Sequence, residues 1–280
     1  MAEQIAVGAL EASPPRVIAV TSGKGGVGKS NVTANLALAF ARRGERVCIL
    51  DADLGLANVD VLFGLSPHRS VLHVLRGECR LRDVVIEGPE GVRIVPAASG
   101  FSELTALGAD DRLALVAEVD ALESTFDVLL VDTGAGISDN VLYFVSAAAE
   151  ALVVITPEPT SITDAYALIK VLATRHGRRD FLVLVNMAEN DGAARAAFTR
   201  LARVAARFLR VRVEYAGYLP FDDAVSQAVC QQRPLLLTAP GAPVSRAICG
   251  LAQRLAARPT PAATGGMQFF FQRLIGEGRQ

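Results

Sequence analysis

An α/β fold, with a mostly parallel sheet covered by helices on both faces, follows from three features of the sequence. Short, almost wholly apolar runs alternate with longer amphipathic ones along most of the 280 residues. The apolar runs are too continuous for strands with one wet face, so both faces of the sheet are buried. A glycine-rich segment, residues 23–30 (GKGGVGKS), joins the first apolar run to the first amphipathic one. In such sheets ligands bind beyond the carboxyl ends of the strands, where this segment falls.

Residues 16–21 (RVIAVT) predict the first buried strand and 29–43 the first helix, with Gly44 placed to end it. Strands are expected at 46–51 and 92–96, a helix over 109–124, a strand at 126–132 and a helix over 138–149. A strand at 151–156, a helix over 161–175, a strand at 181–186, a helix over 193–208 and a strand at 215–220 continue the alternation. Helices over 222–230 and 243–256 close it, and the crossovers are expected to be right-handed. Residues 257–266 (ARPTPAATGG) have linker chemistry, with two prolines and paired glycines. The expected organisation is a mobile arm over 1–14, one domain over 15–256, a linker over 257–266 and a C-terminal tail over 267–280.

A net charge of -1 argues against a dedicated nucleic-acid binder, which carries a basic surplus. The four cysteines include no C-x-x-C pair and histidines are few, against a zinc site or a disulfide framework. Cys48, inside an apolar run, reads as a small buried hydrophobe. Residues 1–15 lack a basic stretch followed by an apolar one, and no run has the apolar length of a membrane span. The expectation is a cytoplasmic protein whose membrane contact, if any, is peripheral, at the inner membrane face.

Residues 23–30 satisfy the phosphate-binding spacing G-x-x-x-x-G-K-S between a strand and a helix. Gly23, Gly25, Gly26 and Gly28, with Lys24 and Val27 between them, let backbone N–H groups turn inward around phosphate oxygens. The helix N-terminus at Lys29, Ser30 and Asn31 favours an anion. Lys29 is expected on the β- and γ-phosphates and the Ser30 hydroxyl on Mg²⁺. The fold class is therefore that of a P-loop NTPase. Asp51 and Asp53 stand at i and i+2 past the second strand, where one can orient Mg²⁺ through water and the other the attacking water. Asp132 ends an apolar strand, the position of a metal-orienting carboxylate, although a capping role also fits; residues 133–137 (TGAGI) form a turn suited to sensing the γ-phosphate.

The loop, with its second lysine at position 24, resembles that of the MinD/ParA class of ATPases. The resemblance implies ATP and Mg²⁺ as cofactors, slow switch-type hydrolysis, and a homodimer formed on ATP in which Lys24 reaches the partner's phosphates. It implies that Lys24, Lys29 and Asp53 are catalytic and that Ser30, Asp51 and Asp132 serve the metal. It places Glu158, Thr160 and Asp164 on the dimer face. It also places adenine against Asn186 and the Gly217–Asp222 turn, with Pro220, Phe221 and Asp222; a strand-ending turn residue is the plainer reading of Asn186. Thr160 or Ser161 can also cap the following helix.

Residues 53–60 (DLGLANVD), 92–100 (VRIVPAASG) and 158–170 (EPTSITDAYALIK) are similar to the flagellar-number regulators of this class, the FlhG/FleN branch. That similarity implies control of flagellar number and placement. Implied partners are an enhancer-binding activator of the FleQ type or the GTPase FlhF. The arm over 3–10 (EQIAVGAL) lacks the D-Q-A-x-x-L-R motif associated with activating that GTPase.

In the tail, Met267, Phe270, Phe271, Leu274 and Ile275 fall on one helical face. A membrane-targeting or partner-binding helix and a helix packed on its own domain both fit. Arg200, Arg203 and Arg207 share another face, readable as a solvated surface or as a DNA stripe. A partition ATPase acting on DNA is the alternative function, though no specific nucleic acid is expected. A redox protein of this fold would need converging cysteines that the sequence does not offer.

Overall fold

The computed structural model describes residues 15–53, 59–70, 73–74, 76–96, 122 and 125–259. The arm, most of the helix expected over 109–124 and the tail with Met267, Phe270, Phe271, Leu274 and Ile275 lie outside the described residues. Elements are numbered here in chain order among those that are described.

Eight strands form one sheet in the order β3-β4-β2-β5-β1-β6-β7-β8. They are β1 (Arg16–Ser22), β2 (Val47–Ala52), β3 (Ile86–Glu87), β4 (Arg93–Val95), β5 (Val128–Ala135), β6 (Glu150–Ile155), β7 (Asp180–Ala188) and β8 (Arg212–Pro220). Every pairing is parallel except β3 with β4. The central strands β1, β2 and β6 are buried at every position, which is why their sequences show no polar alternation. Cys48 is one of these core residues, and burial pushes its thiol up to about 12.

The helices are α1 (Lys29–Ala41), α2 (Val59–Leu62), α3 (Asp139–Ala147), α4 (Pro159–Arg175), α5 (Asp191–Phe208), α6 (Asp223–Cys230), α7 (Leu235–Thr238) and α8 (Pro243–Ala256). One core joins one face of the sheet to α3, α4 and α5. The other joins the opposite face to α1, α6, α7 and α8. Helix α1 is enclosed on all sides, so its buried Asn35 must find partners. It donates to the Asn31 carbonyl at 2.8 Å and accepts from the Leu236 amide at 2.9 Å.

Several boundaries differ from the sequence expectation for local reasons. Helix α4 begins at Pro159, with Glu158 as its N-cap, because a proline at N1 needs no hydrogen-bond acceptor. Ser161, expected as a cap, is buried and accepts from the Thr156 amide at 3.0 Å, tying β6 to α4. Strand β5 continues through Thr133 to Ala135, so part of the expected turn is strand.

Ala257 and Arg258, placed in the linker by composition, close the end of α8. Arg258 pairs with Glu214 at 2.6 Å and with Glu150 at 3.6 Å. Arg16, at the foot of β1, meets Glu150 at 3.0 Å and donates to the carbonyls of Leu255 and Arg258. Both Arg16 and Glu150 are buried, so removing one charge leaves the other in a poor solvent. Glu150→Ala is expected to destabilise the fold by about 3 kcal/mol in urea unfolding. A loss below about 1 kcal/mol would show that the pair is solvated like a surface bridge.

Candidate functional site

The loop after β1 is confined from two sides. A Cβ on Gly23 would lie 2.1 Å from the carbonyl carbon of Asp164, so the loop enters directly against the backbone of α4. A Cβ on Gly28 would lie 2.5 Å from Asn186 Nδ2. Gly28, at φ 87°, is also the N-cap of α1, a conformation that side chains resist. Gly25 and Gly26 face open space, leaving the concave side free for an anion.

Asn186 donates to the Val27 carbonyl at 2.8 Å and fixes the loop from behind. A register shift between β7 and β8 and a left-handed backbone at Met187 (φ 55°) bring it there. Sequence reasoning did not anticipate this contact, because it depends on strand register.

Three carboxylates meet at the carboxyl ends of the strands. Asp51 and Asp132 are cross-strand partners in β2 and β5. Asp51 is buried and accepts from the amides of Asp53 at 3.1 Å and Val59 at 3.2 Å, which turns Asp53 toward the loop. Asp53 lies over Gly134, where an added Cβ would stand 3.4 Å from its Oδ1.

Asp132 accepts from the Thr33 hydroxyl at 2.9 Å and has Ser30 beside it. Its other oxygen, Oδ2, is buried without a hydrogen-bond partner among the described residues. A buried carboxylate oxygen beside a serine hydroxyl at a helix N-terminus is donor chemistry that fits a hard cation. Burial pushes the carboxyl up to about 6, against the opposing pull of Ser30, Thr33 and Lys29. Lys29 is buried too, and desolvation lowers its pKa despite Asp132 and Asp53 nearby.

Lys24 points away from these acids. Its Nζ meets Glu158 Oε2 at 2.8 Å and Thr160 Oγ1 at 3.1 Å on an exposed surface. Glu158, Thr160 and Asp164 thus gather beside the loop as one patch.

A cleft of about 780 Å³ opens over the loop. Gly25, Gly26, Gly28, Lys29, Ser30, Asn31 and Asp53 form its polar floor. Met187, with Val225 and Val229 of α6, forms an apolar wall that sequence reasoning missed. Val225 and Val229 stand at i and i+4 on a short helix, a signal that was available. Asn186, Pro220, Phe221 and Asp222 adjoin the cleft without lining it: Phe221 is exposed and Asp222 caps α6 through the Ala224 amide at 3.0 Å.

A glycine loop at a helix N-terminus, with a buried lysine and converging strand-end carboxylates, is a nucleotide phosphate site. Residues 18–235 match the family model of the CobQ/CobB/MinD/ParA nucleotide binding domain. The chain belongs to that family. It is 50% identical over 263 residues to the antiactivator FleN of Pseudomonas aeruginosa, covering 94% of each chain. It is 34% identical over 265 residues to the flagellum site-determining protein YlxH of Helicobacter pylori, covering 93% of this chain and 90% of the other. Its fold superposes on the MinC:MinD cell division complex of Aquifex aeolicus with a TM-score of 0.71 at 29% identity, covering 90% of this chain and 100% of that one. Within the MinD/ParA family, the chain stands in the FleN and FlhG/YlxH branch.

The raised pKa of Asp132 has a stability consequence. A carboxyl whose pKa is higher folded than unfolded destabilises the fold when ionised; the penalty is absent at low pH and complete above the folded pKa. Asp132→Asn should therefore stabilise the nucleotide-free protein against urea at about pH 8, with the gain shrinking toward about pH 5. An equal gain at both pH values would mean that the ionised carboxylate is not the source.

Proposed function

We propose that this chain is a Mg-ATP-dependent, dimerising ATPase that controls flagellar number by restraining an activator of flagellar genes. The observation that carries this reading is Lys24, a loop lysine held outside its own phosphate cradle by Glu158 and Thr160. A lysine in that position is available to a nucleotide bound by a second copy. The flagellar role is supported by the likeness to FleN and YlxH across almost the whole chain.

In this reading Lys29 and the amides of residues 23–28 hold the nucleotide phosphates. Ser30 and Asp132 would hold magnesium, with Asp51 supporting it through water. Bound magnesium supplies a Lewis acid that draws charge from phosphate oxygens. Asp53 positions the attacking water, and Lys24 from each copy neutralises charge on the other's phosphates. Adenine rests against the wall of Met187, Val225 and Val229, near Asn186, Pro220, Phe221, Asp222 and Asn31. Glu158, Thr160 and Asp164 form the dimer face.

The partner is an enhancer-binding activator of the FleQ type, or the GTPase FlhF. No described helix is long and apolar enough to cross a membrane. Any membrane contact in this scheme is peripheral, through the tail over 267–280, with 257–266 as its linker and 15–256 as the ATPase domain.

The test combines deletion and replacement in the native host. Deletion should raise flagellar gene transcripts and the number of flagella per cell. Replacement by Lys24→Ala should do the same, although the purified variant binds Mg-ATP within about threefold of wild type (a difference of ~0.7 kcal/mol). Replacement by Lys29→Ala should lose binding itself. Flagellar number unchanged on deletion would sink the flagellar role, and a Lys24→Ala protein that dimerises normally on ATP would sink the trans-acting lysine.

A further inference from the structure

The end of the molecule opposite the nucleotide loop carries a concentration of positive charge that the proposed ATPase cycle does not use. Residues 175–212 contain nine arginines against three acidic residues, in a chain whose overall net charge is -1. The topology gathers eight of them there; the ninth, Arg195, is held by Asp191 at 2.6 Å in the first turns of α5. Helices α4 and α5 finish, and β7 and β8 begin, at the end of the sheet away from residues 23–30. The connecting loops adjoin: the Arg212 amide donates to the Arg179 carbonyl at 2.7 Å, and Arg179 Nη1 donates to the Arg210 carbonyl at 3.4 Å.

Not all of this charge is available. Arg212 pairs with Glu214 at 2.7 Å, and Arg178 donates to the carbonyls of Ala148 and Ala149. Arg175, Arg179, Arg200, Arg203, Arg207 and Arg210 are different. All six are exposed, and none has a carboxylate within ion-pair distance among the described residues. A favourable interaction with helix C-termini accounts for Arg175 and Arg207, each in the last turn of its helix. It does not account for Arg200 and Arg203, further back on α5, or for Arg179 and Arg210 in the loops.

Among these arginines stand two apolar side chains without cover, Phe208 at 63% exposure and Val204 at 39%. The Arg207 guanidinium lies 5.2 Å from the Phe208 ring centre. Basic groups around an exposed aromatic side chain match a lipid headgroup layer, which takes up the cations at the phosphates and the ring at the acyl boundary. A duplex backbone would satisfy the arginines but leave Phe208 in water.

Where the described chain ends points the same way. Arg258 and Pro259 line a cavity together with Arg178, Arg179 and Arg212, so the described chain ends at this end of the molecule. We propose that this arginine-rich end is a second membrane contact, built into the folded domain, that recognises an anionic bilayer. A single apolar anchor binds membranes weakly, and a polybasic patch beside it makes attachment stable. The patch would supply the positive charge that the tail over 267–280, with only Arg273 and Arg279, largely lacks.

The inference rests on peripheral membrane attachment but not on the flagellar reading, and the experiment separates the two. Full-length protein and the variant Arg200→Gln/Arg203→Gln/Arg207→Gln/Arg210→Gln are sedimented with vesicles of phosphatidylcholine, alone or mixed with phosphatidylglycerol, with and without Mg-ATP. These side chains are exposed, so thermal unfolding of the variant should match wild type. Wild type should favour the anionic vesicles in a salt-sensitive way, and the variant should lose about tenfold or more of that binding while keeping its Mg-ATP affinity. A Phe208→Ser variant should weaken binding to the same vesicles. Equal partitioning of wild type and the quadruple variant would overturn the proposal, as would failure of wild type to bind either vesicle. Loss of salt-sensitive duplex DNA binding by the quadruple variant, with vesicle binding unchanged, would overturn it in favour of nucleic acid.

Discussion

The loop between β1 and α1 is closed in by backbone on one side and by Asn186 on the other, and the rest of the site is arranged around that confinement. Gly23 has no room for a side chain against α4, and Gly28 has none against Asn186. The contact at Gly23 makes α4 sensitive to whatever the loop holds. Because the same helix starts beside Glu158 and Thr160, the partners of Lys24, loop geometry and the proposed dimer face are mechanically one unit. A shift of the loop on nucleotide binding cannot leave that face unchanged, since packed backbones do not absorb displacement gradually.

Electrostatics gives the site its direction. Asp132 and Lys29 are both buried, and each is pushed toward its neutral form by desolvation. Ionised, the pair is held in an unfavourable state, which a cation at the Asp132 oxygen that has no partner among the described residues would relieve. Asp51 accepts from the amides of Asp53 and Val59, so it also fixes the placement of its neighbour. At the far end of β1, Arg16 and Glu150 form a second buried pair that anchors the end of α8. The central strand thus ties the nucleotide loop at one end to the end of α8 at the other.

Much of this was legible in the sequence. The central strands announced themselves as apolar runs because burial on both faces removes polar alternation. The glycine loop, Lys29, Asp51, Asp53 and Asp132 were legible because phosphate and metal chemistry constrains residue type and spacing together. Other features had no local signal. Strand β3 is two residues long and antiparallel at the edge, and α7 is four residues long, so neither is long enough to repeat its pattern. The Lys24–Glu158 contact joins residues 134 apart, and the Asn186–Val27 bond joins residues 159 apart, so only the fold brings them together. Thr160 and Ser161 looked like caps because hydroxyls favour such positions, but Pro159 starts the helix earlier and Ser161 turns inward to β6.

In the proposed cycle the loop and α4 together read the nucleotide and report it by pairing two copies. Light scattering of purified Asp53→Ala protein, with Mg-ATP, with Mg-ADP and without nucleotide, tests this most directly, because slowed hydrolysis preserves the ATP-bound state. The mass of a dimer is expected with Mg-ATP alone and that of a monomer otherwise. A monomer under all three conditions, in protein shown to bind Mg-ATP, would contradict it.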